Sequence, residues 1–220
     1  MKGVFTLQKR ILIYIVLTAT ILFSTTVYGI MQNQEANIID INSVAEGNIA
    51  REFLREEIIE SNNLIHFISD LTKLSHEEAE YIVQICKEKE IDIFLVLGLM
   101  KVESNFNIRL IGKQGEIGLT QLKVGTAKWI ASNIGVEFKA QDLFEPKYNV
   151  NISTSFLKGL RERNNGDIHK TLTAYNRGEG GLKKYMVSRS GRRNPAESTY
   201  SKRVLEYSTI FRESFKNYNS

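Results

Sequence analysis

Cysteine is almost absent from this chain: Cys86, in "IVQICKEK", is the only one. A single thiol excludes an intramolecular disulfide, and no group of Cys and His has the spacing of a metal site. Cys86 reads as a small buried hydrophobe. Proline is scarce too, with only Pro146 and Pro195. That speaks for long helices and against a turn-rich β fold. No stretch reads as a strand, and there is no internal repeat. His66 stands alone among apolar residues and reads as structural rather than as a ligand.

What is present starts with a run that lacks charge. Lys2, Lys9 and Arg10 precede "ILIYIVLTATILFSTTVYGI", residues 11–30. Twenty uncharged, mostly apolar residues are enough to span a bilayer as one helix, and the basic flank would stay in the cytoplasm. We read the run as a retained membrane anchor; a signal peptide cleaved near Val27-Tyr28-Gly29 is the alternative. Either way residues 31–220 lie outside the cytoplasmic membrane, in the cell envelope or secreted.

Charge divides that exported part. Residues 31–80 hold eleven acidic and three basic side chains, net −8, whereas residues 81–220 hold fourteen acidic and 23 basic, net +9. A basic exported domain suits an anionic polymer such as a cell wall. The basic residues are scattered rather than blocked, so nucleic acid is not expected as a partner.

Helix signals follow along the chain. Residues 31–50 read as a polar stalk, and residues 51–72 as one or two amphipathic helices. Ser75 and Glu78 form a capping box for a helix to about residue 89. Asp92 caps the next, from Ile93 to about Ser104. Thr126 is expected to cap a helix through Ile134. Pro146 suits the first turn of one that reaches Arg163 and stops at "NNG", residues 164–166. Asp167 is expected to cap a short helix through Ala174, after which "NRGEGG" must turn sharply. A last helix from about Ala196 carries Tyr200, Val204, Tyr207, Phe211 and Phe215 on one face. Trp129 reads as core.

One residue breaks the pattern. In "LGLMKVESNFN", residues 97–107, Glu103 continues the apolar stripe of Leu95, Val96, Leu99 and Met100. No Lys or Arg sits three or four residues away to pair with it. A carboxyl removed from water keeps its proton to higher pH, which makes a general acid.

Four further stretches give that acid a context: "GEIGLTQL" (115–122), "LFEPKYNV" (143–150), "AYNRGEGGL" (174–182) and "ESTYSKRVLEY" (197–207). With "VESNFN" they resemble, in order and spacing, the lytic transglycosylases of the soluble-transglycosylase (SLT) type, whose catalytic domain is similar to goose-type lysozyme. The resemblance covers about residues 80–212. It implies an all-α, lysozyme-like domain with a cleft for peptidoglycan glycan strands. It also implies cleavage of the β-1,4 bond between N-acetylmuramic acid and N-acetylglucosamine, leaving a 1,6-anhydro end. No cofactor is implied, and a monomer is expected. On this reading residues 1–30 are anchor or signal peptide, 31–79 an acidic stalk and helical spacer, and 80–215 the catalytic domain.

Site residues carry over by position. Glu103 matches the single catalytic acid. Ser104, Gln121, Tyr175, Asn176 and Tyr200 match residues that surround it or bind substrate; Ser104 is expected to fix the helix end. Gly115, Gly118, Gly178 and Gly180 are expected to shape backbone. Glu116, Asp142 and Glu179 are read as solvated loop or cap residues. Two positions depart from the family pattern: Gly112 stands where a serine commonly helps hold the acid, and Thr120 where methionine commonly precedes the glutamine. Two rivals remain: a lysozyme-type muramidase, and a non-catalytic peptidoglycan-binding scaffold of an envelope machine.

Overall fold

The computed structural model describes residues 41–218, so the apolar run at 11–30 lies outside the described residues. Contacts divide the chain into two units, one to Glu60 and one from Ser61. In the first unit the described residues belong to helix α1 (Ile41–Thr72), so residues 41–50 are helical where a stalk was expected. There Leu54, Ile58 and Ile59 are exposed. No described helix is long and apolar enough to cross a membrane.

The second unit takes in the carboxyl-terminal turns of α1 and six more helices: α2 (His76–Glu88), α3 (Ile93–Ser104), α4 (Val124–Asn133), α5 (Pro146–Arg163), α6 (Ile168–Val187) and α7 (Thr199–Tyr218). Ile65, Phe67 and Ile68 of α1 are buried in its main core. Compactness therefore begins before the change of charge near residue 80.

The cap signals translate directly. Ser75 accepts from the Glu78 N–H, and the Glu78 side chain accepts from the Ser75 N–H. Asp92 accepts from Phe94 N–H at 3.0 Å. Pro146 opens α5, which ends at Arg163, with Asn165 and Gly166 at positive φ beyond it. Cys86 is buried, and burial pushes its thiol up to about 12.

Four expectations need correction. The helix expected to be capped by Thr126 has its cap three residues earlier, at Lys123, and runs from Val124 to Asn133. Its Trp129 is 51 % exposed, because Ala127, Ile130 and Ala131 form the buried face. The helix from Ile168 does not stop at Ala174. It runs on to Gly178, whose backbone (φ 73, ψ 163) breaks it with the sharp turn expected within "NRGEGG", and a second helical segment continues to Val187. A strand pair does exist: β1 (Glu116–Ile117) and β2 (Leu122–Lys123) form a minimal antiparallel hairpin, too short to show alternation in sequence.

The stripe of α3 is also wider than its spacing suggests. Phe94 through Met100 are all buried, so the helix is wrapped by protein on every side. Its most extensive partner is α7. Gly98 permits the approach: a Cβ there would lie 2.5 Å from Val204 O and 2.9 Å from Ser208 N. The start of α7 is fixed in turn by reciprocal bonds. Ser198 N–H donates to Ser201 Oγ, and Ser201 N–H to Ser198 Oγ, both at 3.0 Å. Thr173 of α6 donates to Ala196 O at 2.8 Å. Three apolar clusters result, and Tyr175 packs against all of them.

Candidate active site

Where α3 ends, the chain leaves the core. Asn105 adopts left-handed backbone (φ 52, ψ 39) and closes the helix with its N–H on Lys101 O. Glu103 thus sits in the last turn of the most buried helix, beside a cavity of about 380 Å³. The walls come from separate parts of the chain: Glu103, Gly112, Glu116, Gln121, Tyr175 and Asn176 all line it. Lys113, Lys123 and Arg177 add positive charge to the same lining.

Glu103 is held by one side chain. The Tyr200 hydroxyl donates to its Oε1 at 2.5 Å. Burial pushes the Glu103 carboxyl up to about 7; the Tyr200 hydrogen bond opposes this, and the negative charge of Glu116 adds to it. Tyr200 is pushed far above the usual phenol range, first by burial and then by Glu103, so it stays protonated and donates. Burial likewise raises Tyr175, whose hydroxyl donates to Thr120 O at 3.1 Å. A carboxyl poised near neutral pH beside two neutral phenols can give and take back a proton.

The loop from 107 to 123 shapes the opposite wall. Gln121 has left-handed backbone (φ 49), an uncommon state for a residue other than glycine. Its Nε2 donates to Leu110 O at 3.1 Å and Gly118 O at 3.0 Å. The amide nitrogen is thereby committed, and Oε1 is left as the acceptor. Asn176 is exposed in the cavity wall with no side-chain hydrogen bond among the described residues, so both ends of its amide are free.

The structure brings Glu103, Gln121, Tyr175, Asn176 and Tyr200 together. Ser104 is different. It is buried, and its hydroxyl donates to Leu119 O at 2.7 Å. It ties the end of α3 to the motif loop, as expected of a residue that fixes the helix end, and does not line the cavity, so it is not placed among the groups that could touch substrate. Glu116 departs from expectation in the opposite sense, because it lines the cavity instead of standing in solvent. Asp142 and Glu179 do not line it, and Glu179 pairs with Arg163 at 2.9 Å.

Asn149 was missed. It is fully buried in α5 and clamps the motif loop. Its Oδ1 accepts from Thr120 N at 3.1 Å and Thr120 Oγ1 at 2.6 Å, while its Nδ2 donates to Ile117 O at 3.1 Å and Leu143 O at 2.9 Å. This also accounts for Thr120, whose hydroxyl finds a partner that a thioether would not. Gly118 completes the clamp, since a Cβ there would overlap the Leu143 carbonyl and lie 2.6 Å from Asn149 Nδ2. The available signal was an asparagine, a poor helix former, in the first turn of α5 but past the cap position it would ordinarily take.

A mostly helical domain with a half-buried acid beside a polar cleft defines the class: the fold is that of soluble lytic transglycosylases. Residues 63 % of the chain in extent superpose on the 70-kDa soluble lytic transglycosylase of Escherichia coli, with a TM-score of 0.56 and 23 % identity, covering 26 % of that chain. An inactive mutant of the lytic transglycosylase Slt from Pseudomonas aeruginosa gives the same TM-score, 0.56, at 20 % identity over 68 % of this chain and 26 % of that one. The Transglycosylase SLT domain family matches residues 80–198, and the chain belongs to that family. Among curated relatives, it is 24 % identical over 169 residues to the membrane-bound lytic murein transglycosylase C of Edwardsiella ictaluri (66 % of this chain, 45 % of that protein). It is 26 % identical over 136 residues to the soluble lytic murein transglycosylase of Escherichia coli (56 % and 21 %). The chain spans less than half the length of these relatives.

Proposed function

We propose that this protein is a peptidoglycan lytic transglycosylase with Glu103 as its catalytic acid. The observation that carries the reading is the state of Glu103: half-buried at the end of an apolar helix, bonded to Tyr200, and raised to about 7 beside an open cavity.

In the proposed reaction a glycan strand lies in the cavity with the muramic acid to glucosamine bond near Glu103. Glu103 donates its proton to the glycosidic oxygen, and the C1–O bond breaks. The muramyl N-acetyl group stabilises the positive charge that develops at C1. Glu103, now a carboxylate, takes the proton of the muramyl 6-hydroxyl, and that oxygen closes on C1. The products are a free 4-hydroxyl on one strand and a 1,6-anhydro end on the other. Glu103 regains its proton and no water is consumed. One carboxyl therefore suffices where hydrolytic glycosidases use two.

The other residues position the sugar. Asn176 and the free Oε1 of Gln121 suit acetamido and hydroxyl groups. Tyr175 offers a ring edge at the junction of the cores. Lys113, Lys123 and Arg177 suit the carboxylates of muramyl groups and their peptides. In this reading residues 80–215 form the catalytic domain in the cell envelope, with residues 11–30 as its anchor or leader. One relative is named membrane-bound and another soluble, and the reading accommodates either arrangement.

Replacing Glu103 with Gln tests the assignment. The variant should lose clearing of cell-wall suspensions by at least about 100-fold while still being pulled down by insoluble peptidoglycan. Equal clearing by variant and parent would remove Glu103 from the chemistry. Binding without clearing by the parent itself would favour the scaffold reading. Hydrolysis is the second reading, because Glu116 places another carboxylate in the same cavity.

A further inference from the structure

The cavity holds a carboxylate that the proposed reaction does not use, and several contacts fix it in place. Glu116 lies on β1, opposite Lys123 of β2. Its Oε2 accepts from Gln114 N–H at 3.0 Å. Its Oε1 lies 3.7 Å from Lys123 Nζ. Its carbonyl accepts from Gly112 N–H at 2.7 Å, which holds the backbone of the two residues together.

The missing side chain at Gly112 makes the arrangement possible. A Cβ there would lie 2.5 Å from Glu116 Oε2, 2.6 Å from Gln121 Oε1 and 3.2 Å from Glu116 Cβ. Both side chains therefore use the space above Gly112, and any larger residue would have to move them.

The two carboxyls are in contrasting states. Partial burial pushes Glu116 up, but the N–H groups of its own backbone and of Gln114, with Lys123, outweigh that and hold it below the usual carboxylate range. It is ionised where Glu103 keeps its proton. The groups around Glu103 come from every wall: Tyr200 from α7, Tyr175 and Arg177 from α6, Lys113 from the loop, and Glu116 and Lys123 from the hairpin. The two tyrosines are neutral and the remaining groups besides Glu116 are cations, so Glu116 is the one fixed anion in the described cavity lining.

We propose that Glu116 is a positioning residue of this active site: seated over Gly112, its charge acts on Glu103 and its side chain sets where Gln121 presents its carbonyl oxygen. The proposal rests on the reading that this cavity cuts glycan strands. Acting through Glu103 and Gln121, Glu116 matters without giving or taking a proton itself.

Glu116→Gln tests it, since glutamine can still accept from Gln114 N–H but carries no charge. The Glu103 carboxyl is followed by ¹³C NMR in glutamate-labelled protein, its signal identified by its loss in Glu103→Gln. Alongside, the pH profile of wall clearing is recorded. In Glu116→Gln the midpoint of Glu103 and the alkaline limb of the profile should both move down, by roughly half a pH unit. Gly112→Ser should lower kcat/KM several-fold by displacing Glu116 and Gln121. Adding Glu116→Ala should recover part of that loss by emptying the space. An unmoved Glu103 midpoint in Glu116→Gln, or purely additive losses in the double variant, would overturn the proposal. The NMR midpoint needs no substrate. If the parent cut no wall, the cutting reading would fall and the midpoint would still decide the role of Glu116.

Discussion

Two regions meet at the cavity and are held by opposite means. The α3–α7 pair is apolar, with Val96, Leu97, Met100 and Val204 fully buried and the two backbones brought close at Gly98. The loop from 107 to 123 is held by polar ties: Asn149, Ser104 and Gln121 each satisfy backbone groups that would otherwise be stranded. The helix pair supplies the dry setting that raises Glu103. The loop supplies shape and acceptors. The proton affinity of Glu103 is therefore raised first by burial, and the shape of the cavity wall is set by buried hydrogen bonds.

That contrast can be broken from either side. The largest effect is expected for Gly98→Ala, whose methyl would press on the Val204 carbonyl. Overpacking there should cost about 3 kcal/mol, read as a lower urea midpoint with an unchanged m-value. Asn149→Ala should cost about 2 kcal/mol by leaving Thr120 and two carbonyls without partners. Unlike Gly98→Ala, it should damage wall clearing more than stability, because the loop loses its clamp.

Glu103→Gln should act in the other direction. A carboxyl whose native pKa of about 7 lies above its unfolded value of 4.5 binds its proton more tightly when folded. Its penalty is absent below pH 4.5, grows between 4.5 and 7, and is complete above 7. The variant should thus be more stable than the parent at pH 8, by on the order of 2 kcal/mol, with the gap closing toward pH 4. A constant gap across that range would contradict the burial account. The smallest effect is expected for Tyr200→Phe. Loss of a donor to the ionised form should raise the Glu103 midpoint, by up to about one pH unit, and move the alkaline limb of the pH profile upward.

The helices were far more legible in sequence than the loop. Ser75, Glu78 and Asp92 mark helix starts through local hydrogen bonds, and such bonds depend only on near neighbours. Glu103 was visible because an acid on an apolar stripe is a local contradiction. Gly98 was not, since its significance lies in Val204 and Ser208, a hundred residues onward. Asn149 and Glu116 were hidden for the same reason, as each acts on groups that only the fold brings near. The turn at Gly178 was legible from its glycines, whereas the helical segment that follows it to Val187 was not, because Gly180 and Gly181 argue locally against a helix. Trp129 was misplaced because residue size was weighed above position on the helix face.

Product analysis tests the central claim most directly. Purified peptidoglycan is digested with the parent and with Glu103→Gln, and the muropeptides are weighed by mass spectrometry. The parent should release fragments with 1,6-anhydromuramic acid ends, 18 Da lighter than hydrated ones by the loss of one water (~18 Da, as expected for intramolecular closure in place of hydrolysis), and the variant should release none. Reducing, hydrated ends from the parent, or anhydro ends from the variant, would contradict a single acid that works without water.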